Sequence, residues 1–141
     1  MMIITDFNRK FSEANKNMTG IIFGDPFYTS PLGYKLRMEV ELNVLPEHIW
    51  HYLAVSIRVM KSEHDAILSW PFKKTYTFTL IDQEDNEEER NNIIHAMTPT
   101  GQDRPKDKEN GFTGFMISHE TLLTRKYIKD DTVFITVSIE Q

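Results

Sequence analysis

The sequence predicts an all-β domain, an antiparallel eight-stranded β-sandwich with one short helix, and three observations carry that reading. Four segments alternate apolar and polar residues with the period of two that a half-buried strand requires. Shorter β-rich runs bring the total to the seven or eight strands expected of a sandwich. Helical patterning is scarce.

The elements follow in order. Met2 to Thr5 and Ile21 to Phe23 are short β-rich runs. Ser30-Pro31-Leu32-Gly33 then places Pro at the second turn position, where its fixed φ fits, and Gly at the fourth, which suits a type I turn. A strand leaves that turn, with Tyr34, Leu36, Met38, Val40 and Leu42 on one face and Lys35, Arg37, Glu39 and Glu41 on the other. One face belongs to a core, the other to water or a ligand. In the second alternating segment Leu53, Val55, Ile57 and Val59 interleave with Tyr52, Ala54, Ser56 and Arg58, and in the third Tyr76, Phe78 and Leu80 interleave with threonines. The stretch 83–110 is too polar to be buried strand throughout, but Ile93, Ile94 and Met97 mark a part that packs on the sheet. Phe112 to Ile117 reads as strand, and Ser118 offers an N-cap hydroxyl to the one convincing helical turn. Val133, Ile135, Val137 and Ile139 alternate in the last strand.

At 141 residues, with 40% hydrophobic residues including nine Phe, two Trp and five Tyr, the chain is expected to fold as one domain, 1–141, around one core. The formal net charge of -5 and the scattered basic residues argue against a nucleic-acid partner, which needs clustered cations for its phosphates. With no Cys there is no disulfide framework, thiolate metal site or thiol nucleophile, which favours an intracellular setting. The start, MMIITDFNRKF, has too short an apolar run for a signal peptide, and no stretch approaches the ~20 apolar residues of a membrane-spanning helix.

Chemical motifs are sparse. Glu39 and Glu41 have the composition of an acid-base pair, but two carboxylates on an exposed strand are usually a solvated face. His48 and His51 lack further ligands nearby in sequence, and His64-Asp65 has no nucleophile elbow to serve. Trp70-Pro71-Phe72 reads as core and turn, and the acidic run from Glu84 to Glu89 as a solvated loop. No cofactor is expected.

The blocks Phe27-Tyr28-Thr29-Ser30, Gly33-Tyr34-Lys35-Leu36, Asp65-Ala66-Ile67-Leu68 with Trp70-Pro71-Phe72, Leu80-Ile81-Asp82-Gln83, Arg104-Pro105 and Tyr127-Ile128-Lys129-Asp130-Asp131-Thr132 span nearly the whole chain. In these blocks and their order the chain resembles the TRAF-C, or MATH, domains of the tumour-necrosis-factor-receptor-associated factors. The 43–50 loop and the block 127–132 look most like member six of the mammalian set. The resemblance implies a non-enzymatic sandwich that captures short extended peptides along a sheet edge. It implies as partners cytoplasmic receptor tails or adaptor and kinase peptides, a cytoplasmic location, a mostly monomeric isolated domain and a full-length homotrimer joined by a preceding coiled coil.

Carried over by position, the resemblance puts the ligand's edge strand at Gly111, Phe112 and Thr113, with Phe112 receiving a ligand proline and Ile94 as the apolar wall beside it. Backbone amides around Thr100 and Gly101 would hold the ligand's central Glu. On the opening strand Glu39 stands where the resembled member has Arg and Glu41 where it has His, while Ser56 replaces an expected aromatic. A Glu facing an acidic ligand costs about 1 kcal/mol or more. Arg37 and Arg58 are expected to cross to these carboxylates; if they do not, the site prefers a basic or neutral ligand residue. Two other functions compete: a MATH substrate-recognition module of a ubiquitin ligase or deubiquitinase, taking polar or serine-rich peptides, and a small hydrolase.

Overall fold

Two antiparallel sheets enclose one apolar core in the computed structural model, which describes residues 1–17, 21–44, 52–98 and 114–141. In chain order the strands are β1 (Met2–Ile4), β2 (Ile21–Phe23), β3 (Phe27–Tyr28), β4 (Lys35–Val44), β5 (Tyr52–Met60), β6 (Tyr76–Leu80), β7 (Ile93–Met97), β8 (Gly114–Ser118) and β9 (Val133–Ile139). One sheet has the order β1-β9-β6-β7. The other runs β2-β4-β5-β8, and β3 also pairs with β4. The predicted antiparallel sandwich is the observed fold.

Alternation decides which face each strand buries. Leu36, Met38, Val40 and Leu42 of β4 and Leu53, Val55 and Ile57 of β5 are buried, as are Tyr76, Phe78 and Leu80 of β6 and Val133 and Ile135 of β9. These side chains meet between the sheets, where each fully buried large one contributes about 1.5–3 kcal/mol relative to exposure. His95 of β7 stacks on Phe115 of β8 at 4.6 Å between ring centroids, and Phe115 lies 5.4 Å from Phe78. These contacts set β7 and β8, each terminal in its own sheet among the described strands, on the same side of the sandwich.

The turn at residues 30–33 closes as expected, with the Gly33 amide donating to the Ser30 carbonyl at 2.9 Å. Tyr34 follows and packs edge-on against Trp70 and Phe72 while its hydroxyl donates to the Ser69 carbonyl, so Trp70-Pro71-Phe72 is core and turn. Ser118 caps the short helix α2 (His119–Leu122), accepting from the Thr121 amide at 3.1 Å.

Residues Phe7–Asn17 form a second helix, α1, in a stretch whose residue pattern assigns no helix. Phe7 and Phe11, four apart, place an aromatic stripe on its inner side, and Phe7 is buried. Its first turn is held from the far end of the chain: the Phe7 amide donates to the Asp131 carbonyl and the Asn8 amide to Asp131 Oδ1. That arrangement satisfies helix-end donors usually capped by a neighbouring residue. Asp131 adopts a left-handed conformation, φ 58°, which Asp tolerates better than most residues.

A buried charge locks the opposite loops. Asp82, fully buried, accepts from Arg125 Nε at 2.6 Å and from the amides of Asn91 and Glu84 at 2.9 and 3.1 Å. Burial pushes its pKa up, but the Arg125 bond and the backbone donors outweigh that and hold the carboxyl below its ordinary value. Gln83 beside it donates to the carbonyls of Tyr127 and Thr132. The acidic run is partly paired: Lys126 reaches Glu84, Lys129 reaches Asp85, and Arg90 lies 3.9 Å from Glu87.

Candidate functional site

The outward face of the β2-β4-β5-β8 sheet is built from rows of directly opposed residues. In an antiparallel ladder such residues project to the same side. Phe23 of β2 opposes Glu39 of β4, Glu39 opposes Ser56 of β5, and Ser56 opposes Gly114 of β8. The next row is Ile21, Glu41, Ala54 and Met116, and on the other side of Glu39 the residues Arg37 and Arg58 oppose one another. Sequence alone placed Arg37, Glu39, Glu41, Ser56 and Arg58 on one strand face or the next. The ladder register brings them onto one surface.

Glu39 is the hub of that surface. It is buried, 7% exposed, and takes a two-point contact from Arg58, Nε to Oε1 at 2.7 Å and Nη2 to Oε2 at 3.0 Å. Arg37 Nη2 adds a third bond to Oε1 at 2.6 Å. Burial raises the Glu39 pKa and the bonds from Arg58 and Arg37 lower it; the arginines prevail, and the carboxyl stays ionised below its ordinary range. The expected crossing of Arg37 and Arg58 therefore takes place at Glu39. Glu41, half-buried, has no ion pair or hydrogen bond from its side chain among the described residues, so the crossing does not extend to it. The two glutamates, equivalent in the sequence pattern, are electrostatically different in the fold.

Phe23, which sequence reasoning did not select, completes the cluster. Arg37 Cζ lies 4.4 Å from its ring centroid. The Arg37 Nε is buried with no hydrogen-bond partner among the described residues, and the ring's negative face offsets part of that loss. Met116 and Ile21, 45% and 43% exposed, also stand on this face unforeseen. The run Ile21–Phe23 was legible as β-rich; its pairing with β4, which brings Phe23 to Glu39, was not.

Ile94 lies elsewhere. It sits on β7 in the other sheet, opposite the outward-facing Thr79 and 65% exposed, so the structure does not bring it together with the Glu39 cluster. Thr100, Gly101, Gly111, Phe112 and Thr113 lie outside the described residues, as do His48 and His51. Among the described strands this sheet ends in two edges: β2, which carries Phe23 into the cluster and pairs only with β4, and β8, which pairs only with β5. An open hollow of about 550 Å³ lined by Leu32, Ile67, Pro71 and Lys73, among others, shares no residue with this face.

Nothing in this arrangement is built for bond-making. Among the described residues no group of three His, Asp or Glu side chains is placed to hold a metal ion, and no helix is long and apolar enough to cross a membrane. An antiparallel sandwich with an edge strand unpaired among the described strands, beside a charged sheet face, is the architecture of a protein-interaction domain.

Residues 19–136 match the family described as TRAF/meprin, MATH domain, and the chain belongs to it. Its relatives include TNF receptor-associated factor 5 of Mus musculus, 34% identical over 97% of this chain, and TNF receptor-associated factor 1 of Homo sapiens, 31% identical over 97%. TNF receptor-associated factor 6-B of Xenopus laevis is 31% identical over 84%. The identities are too even to single out one paralogue, member six included. The chain spans 25%, 34% and 23% of the length of these three relatives. The solved structure of TRAF5 from Notothenia coriiceps superposes with a TM-score of 0.86 and 28% identity, covering 99% of this chain and 71% of that one.

Proposed function

We propose that this domain captures short extended peptides from cytoplasmic receptor or adaptor tails by strand addition to β8, and that the ligand then crosses the outward face of β5 and β4. The observation that carries this reading is the position of β8: the terminal strand of its sheet, paired on one side only among the described strands, and bordered by the Ser56 and Glu39 row. Free backbone donors and acceptors along such an edge give affinity, and the neighbouring side chains set register. The segment 111–113, which leads into β8, would supply Phe112 as the pocket for a ligand proline, with Thr100 and Gly101 presenting amides. Membership in a family of receptor-associated factors supports a cytoplasmic setting and a longer homotrimeric protein in which this isolated domain is monomeric. The whole of residues 1–141 acts as one binding unit in this reading.

Backbone N-methylation tests strand addition directly. Peptides with a Pro-x-Glu core are compared with versions methylated at alternate amides, which keep every side chain but lose backbone donors. Strand addition predicts that methylation on the β8-facing amides weakens binding by about tenfold or more, and methylation of the intervening amides does not. Equal binding of all versions would overturn it.

A further inference from the structure

On the reading that ligands cross the β8, β5 and β4 face, we infer that Glu41 is a recognition site for a basic ligand residue, a Lys or Arg whose aliphatic stem lies along the row bounded by the exposed side chains of Met116 and Ile21. The row Ile21, Glu41, Ala54, Met116 is set by ladder register. Ala54 in that row is covered, 2% exposed, so the apolar surface open beside Glu41 is that of Met116 and Ile21, both more than two-fifths exposed. Exposed apolar side chains beside a carboxylate accept a methylene stem and leave the carboxylate for its charged head.

Two facts make Glu41 the acceptor and Glu39 not. Glu39 is saturated by Arg58 and Arg37, whereas the Glu41 side chain has no ion pair or hydrogen bond among the described residues. The guanidinium groups of Arg37 and Arg58 are both drawn onto the Glu39 carboxylate, one outward-facing row (about 7 Å) from the Glu41 row, and neither pairs with Glu41 among the described residues. The face is thus polarised along β4, basic at Lys35, Arg37 and Arg58 and acidic at Glu41. A strand added beside β8 lies about three strand spacings, ~14 Å, from β4, farther than a lysine side chain spans. The basic residue therefore belongs to the part of the ligand that leaves the edge and crosses the face. The net charge of -5 acts in the same direction by drawing basic ligands in.

The test pans a random short-peptide library against the wild-type domain and against Glu41→Lys and Glu41→Gln, with folding of each variant checked by thermal unfolding. Wild-type binders enriched in Lys or Arg at one position, acidic enrichment there with Glu41→Lys, and loss of the preference with Glu41→Gln support the inference; a selected basic peptide should bind Glu41→Lys about tenfold more weakly. Binders whose charge preference is the same for all three proteins overturn the Glu41 assignment and leave peptide capture standing. If no protein yields binders, peptide capture itself fails and the Glu41 assignment falls with it.

Discussion

Glu39 and Arg58, on neighbouring strands and two residue pairs apart in register, form a two-point ion pair at 2.7 and 3.0 Å on the outward sheet face. Arg37, the residue directly opposite Arg58, bonds the same carboxylate. Glu39 is the charge that lets two arginines face each other across the ladder. It is a structural part of the surface before it is a contact for anything else.

Removing that carboxylate leaves like charges directly opposed, which destabilises a sheet. Glu39→Gln should cost about 2 kcal/mol, less than a fully buried pair because both arginine side chains are about a quarter exposed. Arg58→Ala should cost less, since Arg37 still bonds Glu39. Urea unfolding of the two variants checks the order; an equal or smaller loss for Glu39→Gln contradicts it.

Acid should act through two carboxyls. Glu39 and Asp82 both have pKa values lowered by their arginine partners against the opposing effect of burial. Between those lowered values and the ordinary value of about 4 in the unfolded chain, the unfolded chain binds more protons, so stability rises with pH. It is complete above about pH 4 and lost as pH falls through the native values. Asp82→Asn should flatten this part of the acid limb and lower stability at neutral pH by about 2–3 kcal/mol. Thermal unfolding across acidic pH gives both readings.

The α1 anchor makes a separate prediction. Asp131→Ala removes the cap on the Asn8 amide and should cost about 1 kcal/mol, while Asp131→Asn keeps an acceptor and tolerates the left-handed backbone. Hydrogen exchange should quicken in the first turn of α1 for the Ala variant and change little for Asn.

Gly33 has no room for a side chain. An added Cβ would lie 2.1 Å from Thr29 Oγ1, which is held by the Tyr34 amide, and 2.8 Å from the Ser30 backbone nitrogen. Gly33→Ala should lower stability by about 2 kcal/mol and shift Tyr34, read by unfolding and by the Tyr34 ring resonances.

Much of this fold was legible because strand alternation is local. Each residue of β4, β5, β6 and β9 shows its face within its own segment, and Pro31 and Gly33 mark the turn before β4. Helix α1 was not legible, because its cap is contributed by Asp131, more than a hundred residues away, and its apolar stripe is little more than Phe7 and Phe11. The site was legible as a set of polar residues on β4 and β5. The sequence pattern did not distinguish Glu39 from Glu41, whose difference comes from where Arg58 falls in the ladder, nor did it reveal Phe23, which reaches the cluster only through β2 pairing.

The central claim is where a ligand lies, and amide chemical-shift mapping of the domain titrated with a Pro-x-Glu-core peptide tests it most directly. The account predicts the largest changes along β8 and the outward positions of β5 and β4, including Ser56 and Glu41. Changes concentrated instead on the β1-β9-β6-β7 sheet, with β8 silent, would contradict it.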